Sequence, residues 1–209
     1  MRALGIPFTE RLIQLEREDF KTQLASIYDG STVPVLVDGD TVIWESLAII
    51  EYLAERFPDL NVWPDERDAR AMARAISAEM HAGFSALRSA CPMNLGKRYA
   101  CRDRGRGCAE DVSRICALWR KARDAFGGRS GHPYLFGRFC AADAMYAPVV
   151  TRLDTYSIDV PADVRAYMDA ILGSEAFSEW RASALLEPWV FDEDEVDEAP
   201  IDDLRSTRP

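Results

Sequence analysis

The sequence predicts an α/β N-terminal domain followed by an all-α C-terminal domain. Two patterns lead to this prediction. Residues 33–57 combine two short β-branched runs, a turn and one amphipathic helix. From Asp65 onwards, apolar residues recur at helical spacing in several segments. The 209 residues, 48% of them hydrophobic, suffice for two domains with their own cores, which we place at residues 1–58 and 65–187.

The first predicted element is a β-hairpin. Apolar runs at Val33–Val37 and Thr41–Trp44 flank Asp38-Gly39, a dipeptide that suits a two-residue turn with positive φ. Pro34 cannot donate a hydrogen bond to a ladder. We therefore expect it where the backbone of Val33 stays available for something other than the sheet.

A helix follows the hairpin directly. After Trp44 the apolar period changes from two to about 3.6, over Leu47–Phe57, and Pro58 ends the segment. Ser46 is the expected N-cap. The N-terminus of a helix offers unpaired N–H groups and the positive end of a dipole to an anionic ligand. Glu45 adds a carboxylate that can meet an ammonium group.

This arrangement resembles the glutathione-binding half of the glutathione S-transferase family, in which a cis-proline follows a Val-Pro strand and an acid–serine pair begins the next helix. The resemblance implies a thioredoxin-like N-terminal domain with glutathione as co-substrate. It places the backbone of Val33, beside Pro34, against the cysteinyl unit, and Glu45 and Ser46 at the γ-glutamyl group. The alternative is an ordinary hairpin and helix that simply need a turn, a proline and a cap.

Helices account for the second domain. The apolar stripe from Asp65 to Cys91 predicts one long helix that Cys91-Pro92 should end. A second stripe runs from Val112 to Phe126 and stops at Gly127-Gly128. Three shorter helices are predicted at residues 141–156, 162–172 and 175–186.

The segment Tyr134–Asp143 resembles a second landmark of the same family, which begins a buried helix. Asp143 lies three residues after Cys140, the spacing of a capping box. Cys140 stands where the family usually has serine or threonine, and a thiol is a weak hydrogen-bond acceptor. We therefore expect a weakened cap. A catalytic thiol at Cys140 is the alternative, but no histidine is close in sequence.

The start of the chain resembles a later part of the family's first domain. Met1–Phe8 is similar to the end of its first helix, and Thr9–Leu15 to its second strand. By this resemblance the first strand and most of the first helix are missing. The turn between them carries the glutathione-activating residue in the family, so no catalytic residue is assigned. Either Met1 is internal to a longer chain, or the domain is rearranged.

Charge argues against nucleic-acid binding. The net charge is −10, and eight acids fall within residues 191–209, so we expect residues 188–209 to form a disordered acidic tail. The basic run from Lys97 to Arg106 has no aromatic platform beyond Tyr99. We interpret this run as a mobile polar loop and expect no nucleic-acid partner.

Other sequence features point to a cytoplasmic protein without a metal. No apolar run approaches the ~18 residues that span a bilayer, and the N-terminus does not resemble a signal peptide, so no membrane partner is expected. Five cysteines, an odd number, favour reduced thiols. The cysteines and the two histidines, His81 and His132, lack paired metal-ligand spacing.

The resemblance implies that a glutathione thiolate attacks a small electrophile, in a homodimer. His81, Phe84 and Arg88 would share one face of the long helix, which forms a wall of the second-substrate cleft in the family. A surface histidine beside a core aromatic is the alternative for these residues. Two other functions stay open: a glutathione-dependent cis–trans isomerase of the maleylacetoacetate type, and a catalytically silent binding module.

Overall fold

The computed structural model describes residues 1–15, 17–127 and 131–205. The chain divides into two compact units, Met1–Val62 and Trp63–Pro209. The first unit contains a small sheet with short helices, and the second is mostly helical. The predicted class, an α/β domain followed by an all-α domain, is confirmed.

The first unit is built around a β-hairpin. Its elements are a 3-10 turn at Arg2–Leu4, helix α1 (Phe20–Ala25), strands β1 (Val35–Asp38) and β2 (Thr41–Trp44), helix α2 (Ser46–Arg56), and a 3-10 turn at Pro58–Leu60. The antiparallel ladder pairs Val35 with Trp44 and Asp38 with Thr41. Gly39 and Asp40 therefore form the two-residue turn, one position later than predicted. Gly39 has a φ of 60°, which glycine adopts readily.

The prediction of a strand at Thr9–Leu15 is wrong. Residues 9–14 have no regular structure, and Leu15 lies in a turn. Phe8, Leu12 and Leu15 are all exposed. A strand requires a partner ladder, and in the described part of this unit the ladder consists of β1 and β2 only.

The second unit is a helical bundle. Its helices are α3 (Arg67–Ala82), α4 (Ser85–Ala90), α5 (Arg106–Ala122), α6 (Ala141–Thr155), α7 (Ala162–Leu172) and α8 (Glu175–Ala184). A π-helical turn, Arg123–Gly127, extends α5, and two short strands, β3 (Lys97–Arg98) and β4 (Asp202–Asp203), pair antiparallel. None of the helices in the described ranges has both the length and the apolar character that crossing a bilayer requires.

The three short predicted helices and the Val112–Phe126 helix are confirmed. Of the predicted stop at Gly127-Gly128, Gly128 lies outside the described residues. The core centres on α6, which packs against α3 and α7. Trp119 of α5 meets Tyr146 of α6 and Tyr167 of α7 edge-on, with ring centroids 5.4 and 4.7 Å apart.

The predicted helix from Asp65 to Cys91 is in fact two helices. Phe84, between α3 and α4, has a φ of 57°, and its side chain is buried. Arg88 of α4 donates hydrogen bonds to the carbonyl oxygens of Met80 and His81, at 2.7 and 3.4 Å. The carbonyl groups that α3 leaves unpaired at its end thus gain a partner. The apolar residues keep their helical spacing across the break, so the apolar pattern of the sequence could not reveal it.

Over residues 188–205 the prediction of a disordered tail is wrong, because acidic residues of this segment lie against the basic run; residues 206–209 of the predicted tail lie outside the described residues. Strand β4 pairs with β3, with Asp203 opposite Lys97. Glu195 accepts from Lys97 Nζ at 2.7 Å, and Glu198 pairs with Arg104 through both oxygens. Each charged segment considered alone predicts disorder. Together they neutralise each other, so the basic run is not a mobile loop either.

Asp143 ties the start of α6 to its neighbours. Its Oδ2 accepts from the Cys140 N–H at 2.9 Å, and its Oδ1 accepts from the Leu135 N–H and the Tyr167 hydroxyl at 3.1 and 3.2 Å. The capping box is present, with the Cys140 sulfur facing the N–H of Asp143. Burial raises the pKa of Asp143 to about 6 and that of the Cys140 thiol well above its usual value. The buried thiol is a poor candidate for a nucleophile.

Replacing Asp143 by alanine should lower the free energy of unfolding by about 3–5 kcal/mol, because three buried donors would lose their acceptor. Urea unfolding followed by tryptophan fluorescence measures the change. Asp159→Ala, at an exposed aspartate of the same unit, should change the value by less than about 0.5 kcal/mol. Equal effects of the two substitutions would contradict the structural role of Asp143.

Candidate functional site

The hairpin register brings four predicted site residues to one end of the sheet. Val35 pairs with Trp44 at that end. Pro34 precedes β1 and Glu45 follows β2, so Val33-Pro34 and Glu45-Ser46 flank the same pair. Residues directly opposite each other in an antiparallel ladder lie about 4.5–5.5 Å apart. We call the set Val33, Pro34, Glu45 and Ser46 the hairpin-end site.

Val33 and Pro34 form a solvent-exposed part of the hairpin-end site. The Val33–Pro34 peptide bond is cis. The β1–β2 ladder begins only at Val35, so Val33 lies outside it, and its residue surface is 47% exposed. Val33 thus lies outside the β1–β2 ladder, and the pairing of its backbone with a ligand stays a prediction.

Tyr28 holds the loop that leads into Pro34, and the sequence analysis missed it. Its hydroxyl donates to the Thr32 carbonyl at 2.5 Å and accepts from the Thr32 N–H at 2.7 Å. Its ring stacks on Trp44 with centroids 5.5 Å apart. Gly30 lets the loop pass this ring, since a Cβ there would lie 2.2 Å from it. Tyr28 lies outside any periodic segment, so hydrophobic patterning gave no signal for it.

The N-terminus of α2 forms the other side of the site. Glu45, not Ser46, is the N-cap, with a φ of 68° and a ψ of 123°. Positive φ is uncommon for a residue other than glycine, and here it turns the chain from β2 straight into α2. Ser46 is the first helical residue, so α2 begins one residue earlier than predicted. The helical ladder starts with the Ile49 N–H donating to the Glu45 carbonyl at 2.9 Å.

The N-terminus of α2 has the features of an anion-binding site. The backbone N–H groups of Ser46, Leu47 and Ala48 precede the first bond of the α2 ladder. They add to the partial positive charge of the dipole. The Glu45 side chain is exposed beside them and supplies a negative charge. The hairpin end can therefore hold a ligand that carries a carboxylate and an ammonium group close together.

A second set of contacts fixes α2 against the hairpin at the opposite end. Tyr52 of α2 donates its hydroxyl hydrogen to Asp38 Oδ2 at 2.7 Å, and Arg56 Nε lies 3.5 Å from the same oxygen. Asp38 is the last residue of β1, beside the turn. The helix and the hairpin are thus joined at both ends, which keeps the N-terminus of α2 beside Pro34.

The three second-substrate candidates do not share one helical face. His81 is exposed near the end of α3, Phe84 is buried between two helices, and Arg88 bonds to carbonyl groups of α3. Arg88 therefore has a structural task that the sequence did not indicate. A substrate role for the three residues stays a prediction.

The described residues offer no obvious thiol nucleophile or metal centre. Cys101 is exposed, and the other four cysteines are buried. Burial raises the pKa of each buried thiol, that of Cys91 to about 12. Within the ranges that the structure describes, no three or more His, Cys, Asp or Glu side chains are grouped to hold a metal ion.

Sequence comparison finds similarity in the N-terminal part of the chain. The family model "Glutathione S-transferase, N-terminal domain" matches residues 1–56. The probable maleylacetoacetate isomerase of Caenorhabditis elegans is 39% identical over 83 residues, which are 40% of this chain and 39% of that protein. Glutathione S-transferase D7 of Drosophila melanogaster is 38% identical over 74 residues, 34% of this chain and 33% of that protein. The matches thus span well under half of these relatives' length.

Solved structures share the fold over most of the chain. Glutathione S-transferase 1-6 from Anopheles dirus species B has a TM-score of 0.62 at 20% identity, covering 87% of this chain and 86% of that one. A Burkholderia glutathione transferase homologue with bound glutathione has a TM-score of 0.59 at 23% identity, covering 87% and 85%. The match over residues 1–56 and the curated relatives show that the N-terminal part of the chain is similar to the glutathione S-transferase family, and the solved structures show a shared fold over most of the chain.

Proposed function

We propose that the protein binds glutathione at the hairpin-end site and uses it to conjugate or reduce small electrophiles. One observation supports this proposal above all. The β1–β2 register brings the cis Val33–Pro34 peptide and the N-terminus of α2 to one end of the hairpin. This arrangement lies within the segment that matches the family's N-terminal domain.

The charges of glutathione suit the site. Its γ-glutamyl group carries a carboxylate and an ammonium group on one carbon. The carboxylate would accept from the N–H groups of Ser46 and the following residues, and the ammonium group would meet Glu45. The cysteinyl unit would pair with the backbone of Val33 as an added strand does at a sheet edge. Structures of a Burkholderia and a Sulfitobacter homologue with bound glutathione support this choice of ligand.

In the reaction, the thiolate of bound glutathione attacks the electrophilic atom of the second substrate. A carbon–sulfur bond forms, and the leaving group departs with its electron pair. Because a free thiol has a pKa of about 8.5, a group that stabilises the thiolate raises the reactive fraction at neutral pH. The hairpin-end residues bind and orient the tripeptide, and none of them is assigned the activating role.

A second candidate function is glutathione-dependent cis–trans isomerisation. The similarity to the probable maleylacetoacetate isomerase of Caenorhabditis elegans favours it. In such a reaction the thiolate would add to a double bond, the resulting single bond would rotate, and elimination would return glutathione unchanged. The same binding residues would serve both reactions.

We further propose that the protein acts as a cytoplasmic homodimer. Five free cysteines, four of them buried, suit a reducing compartment. The similarity to the glutathione S-transferase family supports the proposal of a dimer, and light scattering of the purified protein would measure it directly.

Ser46→Ala should weaken glutathione binding by about tenfold, because the Ser46 hydroxyl would also donate to the glutathione carboxylate, and the substitution removes that hydrogen bond while it keeps the backbone N–H. Titration calorimetry measures the dissociation constant. Thr41→Ala removes an exposed hydroxyl at the turn end of the same hairpin and should leave the constant unchanged. A Ser46→Ala constant equal to that of Thr41→Ala would count against the hairpin-end site.

Glu45→Gln should weaken glutathione binding by about 10- to 100-fold, because the ammonium group loses its charged partner. The same substitution should have little effect on the binding of deaminated glutathione, which lacks the ammonium group. Glu55→Gln, at an exposed glutamate near the other end of α2, is the matched control. If Glu45→Gln weakened the binding of glutathione and of deaminated glutathione equally, the ammonium group would not contact Glu45.

The two candidate reactions differ in their consumption of glutathione. The protein is incubated with a cis-enoic diacid and a tenth of an equivalent of glutathione. If isomerisation is the function, all of the diacid should be converted to the trans isomer. Conjugation would instead stop at the amount of glutathione supplied. Binding of glutathione without either product would indicate a silent binding module.

A further inference from the structure

The acidic C-terminal segment is bound to the helical unit as an added strand. We call residues 195–205 the acidic arm and residues 94–104 the basic edge. Strand β4 of the acidic arm pairs antiparallel with β3 of the basic edge. The N–H groups of Ile201 and Leu204 donate to carbonyl oxygens of the basic edge, both at 2.8 Å. Main-chain bonds of this kind are the ones that hold an extended peptide at the edge of a sheet.

Two carboxylates of the acidic arm contact the cations of the basic edge. Glu195 accepts from Lys97 Nζ at 2.7 Å. Glu198 accepts from both terminal nitrogens of Arg104, and the Arg104 Nη2 to Glu198 Oε2 distance is 2.9 Å. Arg102 Nη1 lies 3.7 Å from the same oxygen. The contacts therefore select two carboxylates three residues apart on an extended chain.

The basic edge is fixed to the bundle by contacts that do not involve the acidic arm. The N–H of Tyr99 donates to the Thr155 carbonyl at 2.7 Å, and the Ser157 hydroxyl donates to the Tyr99 carbonyl at 2.7 Å. The rings of Tyr99 and Tyr156 stack with centroids 5.2 Å apart. The Arg104 guanidinium lies 4.6 Å from the centre of the Tyr156 ring. The basic edge can therefore keep its shape when the acidic arm leaves.

The acidic arm itself adds little to the core of the bundle. None of its residues is buried, and Ile201 is 64% exposed. It carries five acids and a single basic residue, Arg205. A segment that is held by polar contacts and buries no apolar side chain can open locally while the rest of the protein stays folded.

We propose that the basic edge is a binding site for an acidic, extended peptide of a partner protein, and that the acidic arm is its built-in competitor. The partner peptide pairs with β3 as β4 does and places two carboxylates at Lys97 and Arg104. Because the acidic arm is tethered, it competes at an effective concentration in the millimolar range. The wild-type chain therefore binds such a peptide weakly, and any change that loosens the arm raises the affinity.

A labelled synthetic peptide with the sequence of residues 194–205 is the probe, and fluorescence anisotropy measures its binding to the full chain. Glu198→Gln in the chain weakens the acidic arm and leaves the basic edge unaltered. The peptide should bind this variant about 10- to 100-fold more tightly than the wild type, because the arm has lost a hydrogen bond between charged groups. Glu193→Gln, at an exposed acid before the arm, is the charge-matched control and should bind the peptide as the wild type does.

Two further variants test which side chains recognise the peptide. A peptide that carries both Glu195→Gln and Glu198→Gln should show no gain in affinity for the Glu198→Gln chain, because it lacks the two carboxylates. Lys97→Gln, added to the Glu198→Gln chain, should remove about tenfold of the gain for the original peptide.

Amide hydrogen exchange of the wild-type chain gives a test that needs no variant. The N–H groups of Ile201 and Leu204 should exchange faster than that of Leu153, which is buried in α6. An excess of the synthetic peptide should accelerate exchange at Ile201 and Leu204 and leave Leu153 unchanged, because the peptide displaces the acidic arm.

Three results would overturn the proposal. Equal peptide affinities of the wild type and Glu198→Gln would show that the acidic arm does not compete for the basic edge. An oligonucleotide of the same charge that gains as much affinity as the peptide would show a general polyanion surface instead of a peptide site. Exchange at Ile201 and Leu204 as slow as at Leu153 would show that the arm opens only when the whole bundle unfolds.

Discussion

The pairing of Val35 with Trp44 is the constraint on which the candidate site depends. It fixes the register of a hairpin only four residues long on each side. A shift by one residue would exchange the faces of both strands and move Pro34 away from Glu45. The turn at Gly39 and the anchoring of α2 to Asp38 hold the register from the other end. The geometry of the candidate site is thus a consequence of local strand pairing and not of one special side chain.

Charge complementarity has a comparable role in the helical unit. The acidic C-terminal residues and the basic run from Lys97 to Arg106 each lack the apolar content to fold separately. Paired, they build a short ladder around a buried Arg104–Glu198 contact. The interior of the bundle relies on conventional apolar packing around α6, and on the bonds that Asp143 accepts. The contact between the acidic and basic segments is therefore held mainly by charge pairing, whereas the interior of the bundle is held mainly by apolar packing.

The sequence predicted features that short-range chemistry determines. The hairpin, α2, the capping box and the helices of the second unit follow from turn residues, caps and apolar periods. Features that depend on distant segments were missed. The strand expected at Thr9–Leu15 lacks a ladder partner, the break at Phe84 preserves the apolar spacing, and Lys97 pairs with Glu195, which lies 98 positions further along the chain. The sequence motif proposed Val33 and Ser46 as residues of the candidate site, whereas Tyr28 supports that site only through contacts that folding creates.

Binding of glutathione at the hairpin-end site can be observed through amide chemical shifts of the isotope-labelled protein, recorded during a glutathione titration. We expect saturable shifts at the N–H groups of Val33, Ser46 and Leu47, with little change at the turn residues Gly39 and Asp40. Saturable shifts that leave Val33 and Ser46 unaffected would contradict binding at this site.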